Sequence, residues 1–461
     1  MGLLNELQKN DKKGLFKNND IFAHYSTGYL PIDYLNAFTV NYLDKDGVMQ
    51  QDIVPGIIGG RFMTIVGYSG SGKTTLADQI AWNMLNDYHN EEEKKCFTEN
   101  ALLWHFDIEQ TALRPRICSI TNTKPDEPRI SIVRDHVSIE DVLEILDRIC
   151  KAKEAGGDEF KCTIDGKWFG GKPVKVYVPT VLILDSLPTF TSREVKSDEL
   201  EGQMSTNREV GQISQFYSKC LFKMYKYNVT IIAINHIKTK LKINMYEPDK
   251  PQLMLLRDGE SLPRGQAPIY LASSLFRLNA SGAKANQYTV EDNGFAGFKA
   301  YLQVTKTKTS YIGGVTPLAF NEKIGYDPIY TLFEFASDNG MIDGRQPYLY
   351  IKGAEAYKFS KKTFRNRFIE DEMFRLSFMN ALQPALEALI NKQSPDVNET
   401  NPVEYLAMNK LLTINENGEI IPTGIVETKT GLILKRAGES VTKSGVILPD
   451  GVDTTGANLA S

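Results

Sequence analysis

The sequence predicts an α/β protein built on a mostly parallel, twisted sheet that is flanked by helices. Between about residues 25 and 325, short apolar runs suited to buried strands alternate with stretches of helical periodicity. The first strong run leads through a glycine-rich turn into a helix, and later runs end in acidic or polar residues. In an open parallel sheet such ends lie together at one edge, where ligands bind.

Length and composition fit a globular protein of two or three domains. The chain has 461 residues, of which 42% are hydrophobic and 24% are charged. No apolar run approaches the roughly 18 residues that span a membrane, and the N-terminus is too polar for a signal peptide. The five cysteines form no C-x-x-C pair, which argues against zinc and disulfides and favours the cytoplasm. A net charge of −4 excludes a generally basic nucleic-acid coat but not a local basic groove.

Composition divides the chain into four stretches. Residues 1–24 are polar, with a short amphipathic piece that predicts an N-terminal docking helix for oligomerisation. Residues 25–325 form the predicted core, and residues 326–395 form a small C-terminal α/β domain with strong helical periodicity. Residues 396–461 favour a flexible tail, although the similar pieces "NGEIIPTG", "TGLILKRAG" and "SGVILPDG" leave short β turns as an alternative.

Six apolar runs predict the strands of the core. Between them, Ser138 with Asp141 predicts a capped helix start for "SIEDVLEILDRICKA". Residues 153–179 are bounded by glycines and indicate an inserted hairpin. The six predicted strands are "FMTIV", "LLWHF", "VLILD", "VTIIAIN", "SSLFRLN" and "KAYLQVT".

The glycine-rich turn matches G-x-x-x-x-G-K-[ST] at every fixed position, between a predicted strand and a predicted helix. Its glycines let backbone amides face a concavity at the helix N-terminus, where phosphates bind. Lys73 then neutralises the β and γ phosphates, and the Thr74 hydroxyl is a Mg²⁺ ligand. We therefore expect ATP and Mg²⁺ as cofactors. The predicted ATP-binding residues are Gly67, Tyr68, Ser69, Gly70, Ser71, Gly72, Lys73, Thr74 and Thr75.

Three later strand ends supply the remaining groups that phosphoryl transfer to water needs. Asp185 ends "VLILD" and is the predicted second Mg²⁺ ligand. Glu109, just past "LLWHF", is the predicted water-activating residue, with Asp107 as the weaker candidate. Asn235 ends "VTIIAIN" and His236 follows it, and this polar pair can contact the γ-phosphate and pass its presence to the next segment.

That next segment is basic and contains glycine. Such a segment can bind nucleic-acid phosphates, and its position would let the bound nucleotide control that binding. The alternative is an ordinary solvated lysine run. Because the segment follows the strand end at His236, we favour DNA contact. The predicted DNA-binding residues are Lys238, Lys240, Lys242, Arg257, Arg264 and Gly265.

In their order along the chain and in their residues, these motifs resemble those of the RecA recombinases, with UvsX-type phage members closest. The resemblance rests on "STGYLPIDYLNAF", the glycine-rich turn, "FDIEQTAL", "LILDSLPTF" and "AINHIK". It implies that Glu109 activates water and that His236 senses the γ-phosphate, where bacterial members have glutamine. It also implies two DNA-binding loops, the first within residues 198–221 together with the next helix, and the second after His236. Lys306 and Lys308 resemble paired lysines that reach the ATP of the neighbouring subunit.

The function that this resemblance implies is an ATP- and DNA-dependent recombinase. Such a protein forms helical filaments on single-stranded DNA and promotes homologous pairing and strand exchange. Its expected partners are single-stranded and homologous duplex DNA, further copies of itself, mediator proteins and single-strand-binding proteins. A phage-encoded member would act in the host cytoplasm. Two alternatives stay open: a replicative helicase of the DnaB type on the same core, and a nucleotide-switched scaffold ATPase without DNA binding.

Overall fold

The computed structural model describes most of the chain between residues 22 and 391 and six short strands beyond it. The described ranges are 22–43, 47–134, 137–164, 166–168, 173–190, 193, 202–239, 256–257, 259–263, 267–309 and 312–391, with the strands between 412 and 449. The helices are α1 (Leu30–Leu35), α2 (Lys73–Met84), α3 (Glu91–Asn100), α4 (Arg114–Thr121), α5 (Ile139–Gly156), α6 (Gly202–Tyr227), α7 (Ala267–Tyr270), α8 (Val290–Asn293), α9 (Pro328–Asp338), α10 (Lys361–Glu370) and α11 (Glu372–Asn391).

The strands are spread along the whole chain. The first ten are β1 (His24–Tyr25), β2 (Phe38–Leu43), β3 (Met49–Val54), β4 (Ile57–Ile58), β5 (Phe62–Gly67), β6 (Leu102–Asp107), β7 (Ile130–Val133), β8 (Lys161–Ile164), β9 (Val174–Tyr177) and β10 (Thr180–Asp185). The next ten are β11 (Val229–His236), β12 (Lys238–Thr239), β13 (Glu260–Ser261), β14 (Ser274–Ala280), β15 (Gln287–Tyr288), β16 (Gly297–Thr307), β17 (Val315–Asn321), β18 (Gly325–Tyr326), β19 (Ile342–Arg345) and β20 (Tyr348–Ile351).

Ten of these strands form one mixed sheet. Its order is β18-β17-β16-β14-β5-β11-β10-β6-β7, and β15 pairs with β16. The strands from β14 to β7 pair in parallel, whereas β15, β16, β17 and β18 pair antiparallel. All six predicted strands belong to this sheet, so the predicted α/β class with a mostly parallel sheet is confirmed.

The parallel half of the sheet is buried on both faces. Along β10, Val181 and Ile183 pack in one core cluster, and Leu182 and Leu184 pack in another. The first cluster contains the apolar side of α2, and the second contains apolar residues of α5 and α6. Because successive side chains of a strand point to opposite faces, these helices cover opposite faces of the sheet. Burial on both faces explains why the strands are continuous apolar runs rather than alternating patterns.

Two local predictions inside the core are also confirmed. Ser138 and Asp141 form a capping box at the start of α5, in which each side chain binds the other's backbone amide. The predicted insertion contains the antiparallel hairpin β8–β9. The hairpin begins later than the predicted insertion does, because α5 continues through Gly156 before a short 3₁₀ turn at Gly157–Phe160.

After the sheet, the chain forms α9, the hairpin β19–β20, α10 and α11. These elements share a third core cluster that is rich in phenylalanine and includes Phe333, Phe359, Phe364, Phe374 and Phe378. The cluster also takes in Ala319 of β17, so this region and the sheet belong to one compact unit, residues 1–390.

A second compact unit comprises residues 391–461. It contains three antiparallel hairpins, formed by short strands that include parts of the three similar tail pieces. These strands are β21 (Leu412–Ile414), β22 (Ile420–Pro422), β23 (Ile425–Thr428), β24 (Gly431–Leu434), β25 (Glu439–Val441) and β26 (Ile447–Pro449). Across the described residues of the whole chain, helices that combine the length and the hydropathy needed to cross a membrane are absent.

Candidate active site

The candidate site lies where four parallel strands end. Asp185, the last residue of β10, pairs with Asp107 at the end of β6. His236, the last residue of β11, pairs with Gly67 at the end of β5. The strand ends therefore bring the glycine-rich loop (residues 67–72) and the predicted acids to one edge, as expected for ligand sites in open α/β sheets.

The glycine-rich loop needs its glycines for two different reasons. A Cβ atom on Gly67 would lie 2.5 Å from the Leu278 carbonyl oxygen, and one on Gly72 would lie 2.8 Å from the Tyr326 hydroxyl. Gly70 has φ of +77°, and a Cβ atom there would meet open space. Close packing therefore requires Gly67 and Gly72, and both Gly70 and Gly72, whose φ is +80°, have a backbone conformation that other residues rarely adopt.

Lys73, at the start of α2, folds back over the glycine-rich loop. Its Nζ donates a hydrogen bond to the Tyr68 carbonyl oxygen at 2.7 Å, and the residue is 4% exposed. Burial lowers the pKa of Lys73 to about 8. An anion placed against this ammonium would favour its charged form, and it would replace a carbonyl dipole with a full negative charge.

Thr74 and Asp185 form the second part of the site. The Thr74 hydroxyl donates to Asp185 Oδ2 at 2.7 Å, and Asp185 is almost fully buried. Burial opposes ionisation of this carboxyl, but contacts with His105 and Thr74 hold its pKa below its usual value. Asp185 is therefore a carboxylate, and with the Thr74 hydroxyl it presents the oxygen donors that Mg²⁺ prefers.

This donor set fits a Mg²⁺ ion that is held partly by a substrate. Among the described residues there is no group of three or more His, Cys, Asp or Glu side chains that could hold a metal ion. Mg²⁺ usually takes only one or two protein carboxylates and completes its shell with water and phosphate oxygens. Thr74 and Asp185 would hold the ion in this way.

Asp78 and His105 lie behind Asp185 and were not predicted from the sequence. His105 Nδ1 lies 2.8 Å from Asp78 Oδ1, and His105 Nε2 lies 3.7 Å from Asp185 Oδ2. Burial alone would lower the pKa of His105, but the two carboxylates raise it to about 10. The protonated ring therefore stabilises the charged form of Asp185. The sequence feature that could have indicated this pair is the histidine inside the otherwise apolar strand "LLWHF".

Glu109 and His236 meet across the opening of the site. His236 Nε2 lies 3.3 Å from Glu109 Oε1, and the Ser186 hydroxyl donates to the same oxygen. Burial, together with the charge of Lys73, lowers the pKa of His236. The imidazole is therefore mainly neutral at pH 7. A carboxylate oriented by a hydroxyl and an imidazole can orient or deprotonate a water molecule.

Asp107 has a different role, although it precedes Glu109 by only two residues. Its carboxylate is fully buried and accepts the amides of Thr111 at 3.0 Å and Ala112 at 2.8 Å. These bonds shape the turn between β6 and α4. Of the two acids after β6, only Glu109 is directed towards His236.

Lys306 and Lys308 are not part of this arrangement. Thr307, between the two lysines, pairs with Ser274 of β14. Ser274 in turn pairs with Met63 of β5, which lies four residues before Gly67. At ~3.3 Å per residue, the two lysines therefore lie ~13 Å along the sheet from the glycine-rich loop of their own chain.

Lys306 makes hydrogen bonds within its own subunit. Its Nζ donates to the carbonyl oxygens of Ile269, at 2.7 Å, and Tyr270. These carbonyls belong to α7, a helix too short to satisfy them internally, so Lys306 caps its C-terminal end. Lys308 is exposed and, with Arg61, lines a cavity of about 230 Å³.

The predicted DNA-binding residues are only partly described. Lys238 and Arg257 are exposed, and Lys238 lies on β12, which pairs with β13 to form a short ribbon. Lys240, Lys242, Arg264 and Gly265 lie outside the described residues. The first residue of the ribbon follows His236 by two positions, so the ribbon continues directly from the candidate site.

Comparison with known proteins adds no assignment. No protein-family model matches the chain, and no curated protein matches it. The function proposed below therefore depends on the residues and geometry of the site.

Proposed function

We propose that this protein is a Mg²⁺-dependent ATPase of the RecA type that acts as a homologous recombinase on DNA. One observation carries the proposal: Lys73, Thr74, Glu109, Asp185 and His236 meet at a single edge of a parallel sheet, around a glycine-rich loop. These are the groups that phosphoryl transfer to water needs: a cation, oxygen donors for a metal ion and an oriented carboxylate.

Each residue has a distinct part in the proposed reaction. The amides of the glycine-rich loop and Lys73 bind the phosphates, and Thr74 and Asp185 hold Mg²⁺. Bound Mg²⁺ would supply positive charge that stabilises the transferring phosphoryl group. Glu109, held by Ser186 and His236, orients the attacking water and accepts its proton. His236 also contacts the γ-phosphate side of the site, and the ribbon begins two residues further on.

The ribbon supports a role on DNA. Lys238 is exposed on it, and the sequence around it carries the further predicted basic residues. Basic side chains that follow the nucleotide-sensing residue would allow the bound nucleotide to change the affinity for DNA phosphates. This connection favours a DNA-dependent ATPase over a scaffold ATPase without DNA binding.

The position of Lys308 supports a filament. Lys308 is exposed and lies far from the glycine-rich loop of its own chain, so it could complete a site only in a neighbouring subunit. A contact in which one end of a subunit meets the opposite end of the next is heterologous, and repeating it produces a helix where the rotation between subunits does not close into a ring. Arg61, beside Lys308, adds positive charge to the same surface.

The DnaB-type helicase is the alternative on the same core. The sequence "FDIEQTALRPRI" resembles the glutamate-then-arginine pattern of that helicase around β6. Arg114 donates to the carbonyls of Pro125, Glu127 and Ile130, and Arg116 donates to those of Glu322 and Lys323. Both arginines therefore bind backbone of their own chain.

Electron microscopy with single-stranded DNA, combined with an ATPase assay, tests the proposal. We expect ATP hydrolysis to be stimulated by single-stranded DNA, and helical filaments to form with a nonhydrolysable ATP analogue. Closed hexameric rings with strand-displacement activity would favour the helicase. Hydrolysis that is indifferent to DNA would favour the scaffold ATPase.

A further inference from the structure

A chain of hydrogen bonds joins the glycine-rich loop to the ribbon by a route that does not pass through His236. The Tyr68 hydroxyl donates to Glu260 Oε1 at 2.7 Å. The two terminal nitrogens of Arg277 donate to the two oxygens of the same carboxylate, at 2.6 Å and 2.8 Å. Glu260 and Arg277 are buried, whereas Tyr68 is 42% exposed.

Tyr68 contacts the nucleotide-binding machinery through its backbone. Its carbonyl oxygen accepts Lys73 Nζ at 2.7 Å and the Ser71 hydroxyl at 2.8 Å. If Lys73 turned to bind a phosphate, the Tyr68 carbonyl would lose its charged partner, and the position of Tyr68 would then respond to the nucleotide.

Glu260 occupies the other end of the chain, in β13. Its carboxylate also accepts the Arg257 amide at 2.7 Å, and β13 pairs with β12. Burial opposes ionisation, but Arg277, the Arg257 amide and Tyr68 together lower the pKa of Glu260 to about 2. The carboxylate is thus charged at neutral pH, and a charged acceptor makes stronger hydrogen bonds than a neutral one.

We propose that Glu260 is a positioning residue that couples the nucleotide site to the ribbon through Tyr68. This inference rests on the proposed function, because it takes ATP as the ligand and DNA binding as the outcome. The ribbon then receives two inputs: His236 acts on β12 through the chain itself, and Tyr68 acts on β13 through Glu260. Arg277 keeps the carboxylate charged and in place, so that the Tyr68 hydroxyl and the Arg257 amide share one acceptor group.

The alternative is a buried Arg277–Glu260 pair that only stabilises the fold, with the Tyr68 hydroxyl contributing nothing to coupling. Tyr68→Phe separates the two because it removes one hydroxyl and leaves the buried pair intact. Tyr42→Phe is a matched control, since Tyr42 also donates to a carboxylate, Asp52, at 3.5 Å in the β2–β3 hairpin.

Hydrogen–deuterium exchange of peptides covering residues 256–263 tests the coupling without DNA. Each protein is measured alone and saturated with a nonhydrolysable ATP analogue and Mg²⁺, at a concentration set by its own measured affinity. We expect the nucleotide to change exchange in wild type and in Tyr42→Phe, and to change it little in Tyr68→Phe. A Tyr68→Phe protein that keeps the wild-type response overturns the inference.

The affinity for an oligo(dT) strand, with and without the same analogue, gives the functional measurement. We expect the nucleotide-induced gain in affinity to fall about fivefold or more in Tyr68→Phe, within the usual range of allosteric coupling. Glu260→Gln should lose the same gain, and the double variant should lose no more than either single one. Additive losses would show separate routes and overturn the inference.

Failure of the inference is distinguishable from failure of the proposed function. Wild-type protein that binds nucleotide and DNA but shows no exchange response at residues 256–263 overturns the coupling alone. Wild-type protein that binds no ATP analogue overturns both. The melting temperature of Glu260→Gln shows whether loss of the charge partner of Arg277 has unfolded the chain, and Tyr68→Phe decides the question in that case.

Discussion

Glu109 shows how a single side chain is assigned by its contacts rather than by its place in the sequence. Its Oε1 accepts a hydrogen bond from the Ser186 hydroxyl and also lies close to His236 Nε2, on the open side of the site. Asp107 is closer to the strand end, yet its oxygens are occupied by the amides of the following turn. The contacts therefore favour Glu109 as the group that activates water.

Replacing Glu109 by Gln should preserve nucleotide binding and lower ATP turnover. The amide keeps the shape of the side chain but cannot accept a proton, and losing a general base typically costs about 10²–10⁴-fold in rate. Steady-state hydrolysis and equilibrium binding of a fluorescent ATP analogue measure the two effects. Asp107→Asn is the comparison, and we expect it to lower the melting temperature because it weakens the turn. Normal turnover in Glu109→Gln would place the base elsewhere.

At the scale of elements, α5 shows how a helix carries a charged residue into the core. Its capping box fixes the N-terminal end, and Lys153 lies buried near the C-terminal end. Lys153 Nζ donates to the carbonyls of Val178 at 2.7 Å and Tyr227 at 2.9 Å. It thereby joins α5 to the start of β10 and to the end of α6. Burial lowers the pKa of Lys153 to about 7.

This buried lysine predicts a pH dependence of stability. The pKa of Lys153 is about 7 in the folded chain, and its usual value is 10.5. Between pH 7 and pH 10.5, Lys153 is therefore protonated in the unfolded chain and mostly neutral in the folded chain. The free energy of unfolding should therefore rise with pH from 7 to 10.5, by at most about 1.4 kcal/mol per pH unit. The cost of the buried charge is fully present below pH 7.

Urea unfolding of wild type and Lys153→Met at several pH values, followed by tryptophan fluorescence, measures this contribution. Other titrating groups act in both proteins, so the difference between the two slopes isolates Lys153. We expect the slope to be smaller in the variant. Parallel slopes would mean that the lysine stays charged in the folded chain.

At the scale of the whole molecule, the sheet separates two sets of positive charge. Lys73 lies at the carboxyl edge of the parallel strands, and Lys308 lies at the other end of the sheet with Arg61. If these two charged ends belong to one shared site, the contact between subunits is head-to-tail. In such an assembly ATP would bridge two subunits, and hydrolysis would loosen the junction and release DNA.

Mixing two inactive variants tests this arrangement. Lys308→Ala keeps Glu109 but lacks the lysine, and Glu109→Gln keeps the lysine but lacks the water-activating group. We use Lys308 alone because Lys306 also caps α7. If the junction is shared, about one junction in four is complete in a random equal mixture, and DNA-stimulated hydrolysis recovers accordingly. Full DNA-stimulated activity of Lys308→Ala by itself would exclude the shared site.

The sequence by itself determined the α/β class, the six main strands and the capped start of α5. Strands buried on both faces need continuous apolar runs, and a helix start needs a side chain that accepts its free amides. Both requirements are local, so they can be recognised in a few consecutive residues. The glycine-rich loop was recognisable because its residue spacing, between a predicted strand and a predicted helix, is a local pattern. The close contacts that require Gly67 and Gly72 come from Leu278 and Tyr326, and only the fold supplies them.

Only the tertiary structure decided which polar groups meet. Asp78 and His105 come from a helix and a strand 27 positions apart, and Glu260 lies 192 positions after Tyr68. Neither pair has a pattern that can be recognised along the chain, since the contacts depend on strand order and register. The same applies to Lys306: the carbonyls that it caps lie on a separate helix, brought close by the pairing of β14 with β16. Local sequence determines features that a segment can satisfy alone, such as a capped helix start. Burial and charge pairing depend instead on the neighbours that the fold supplies.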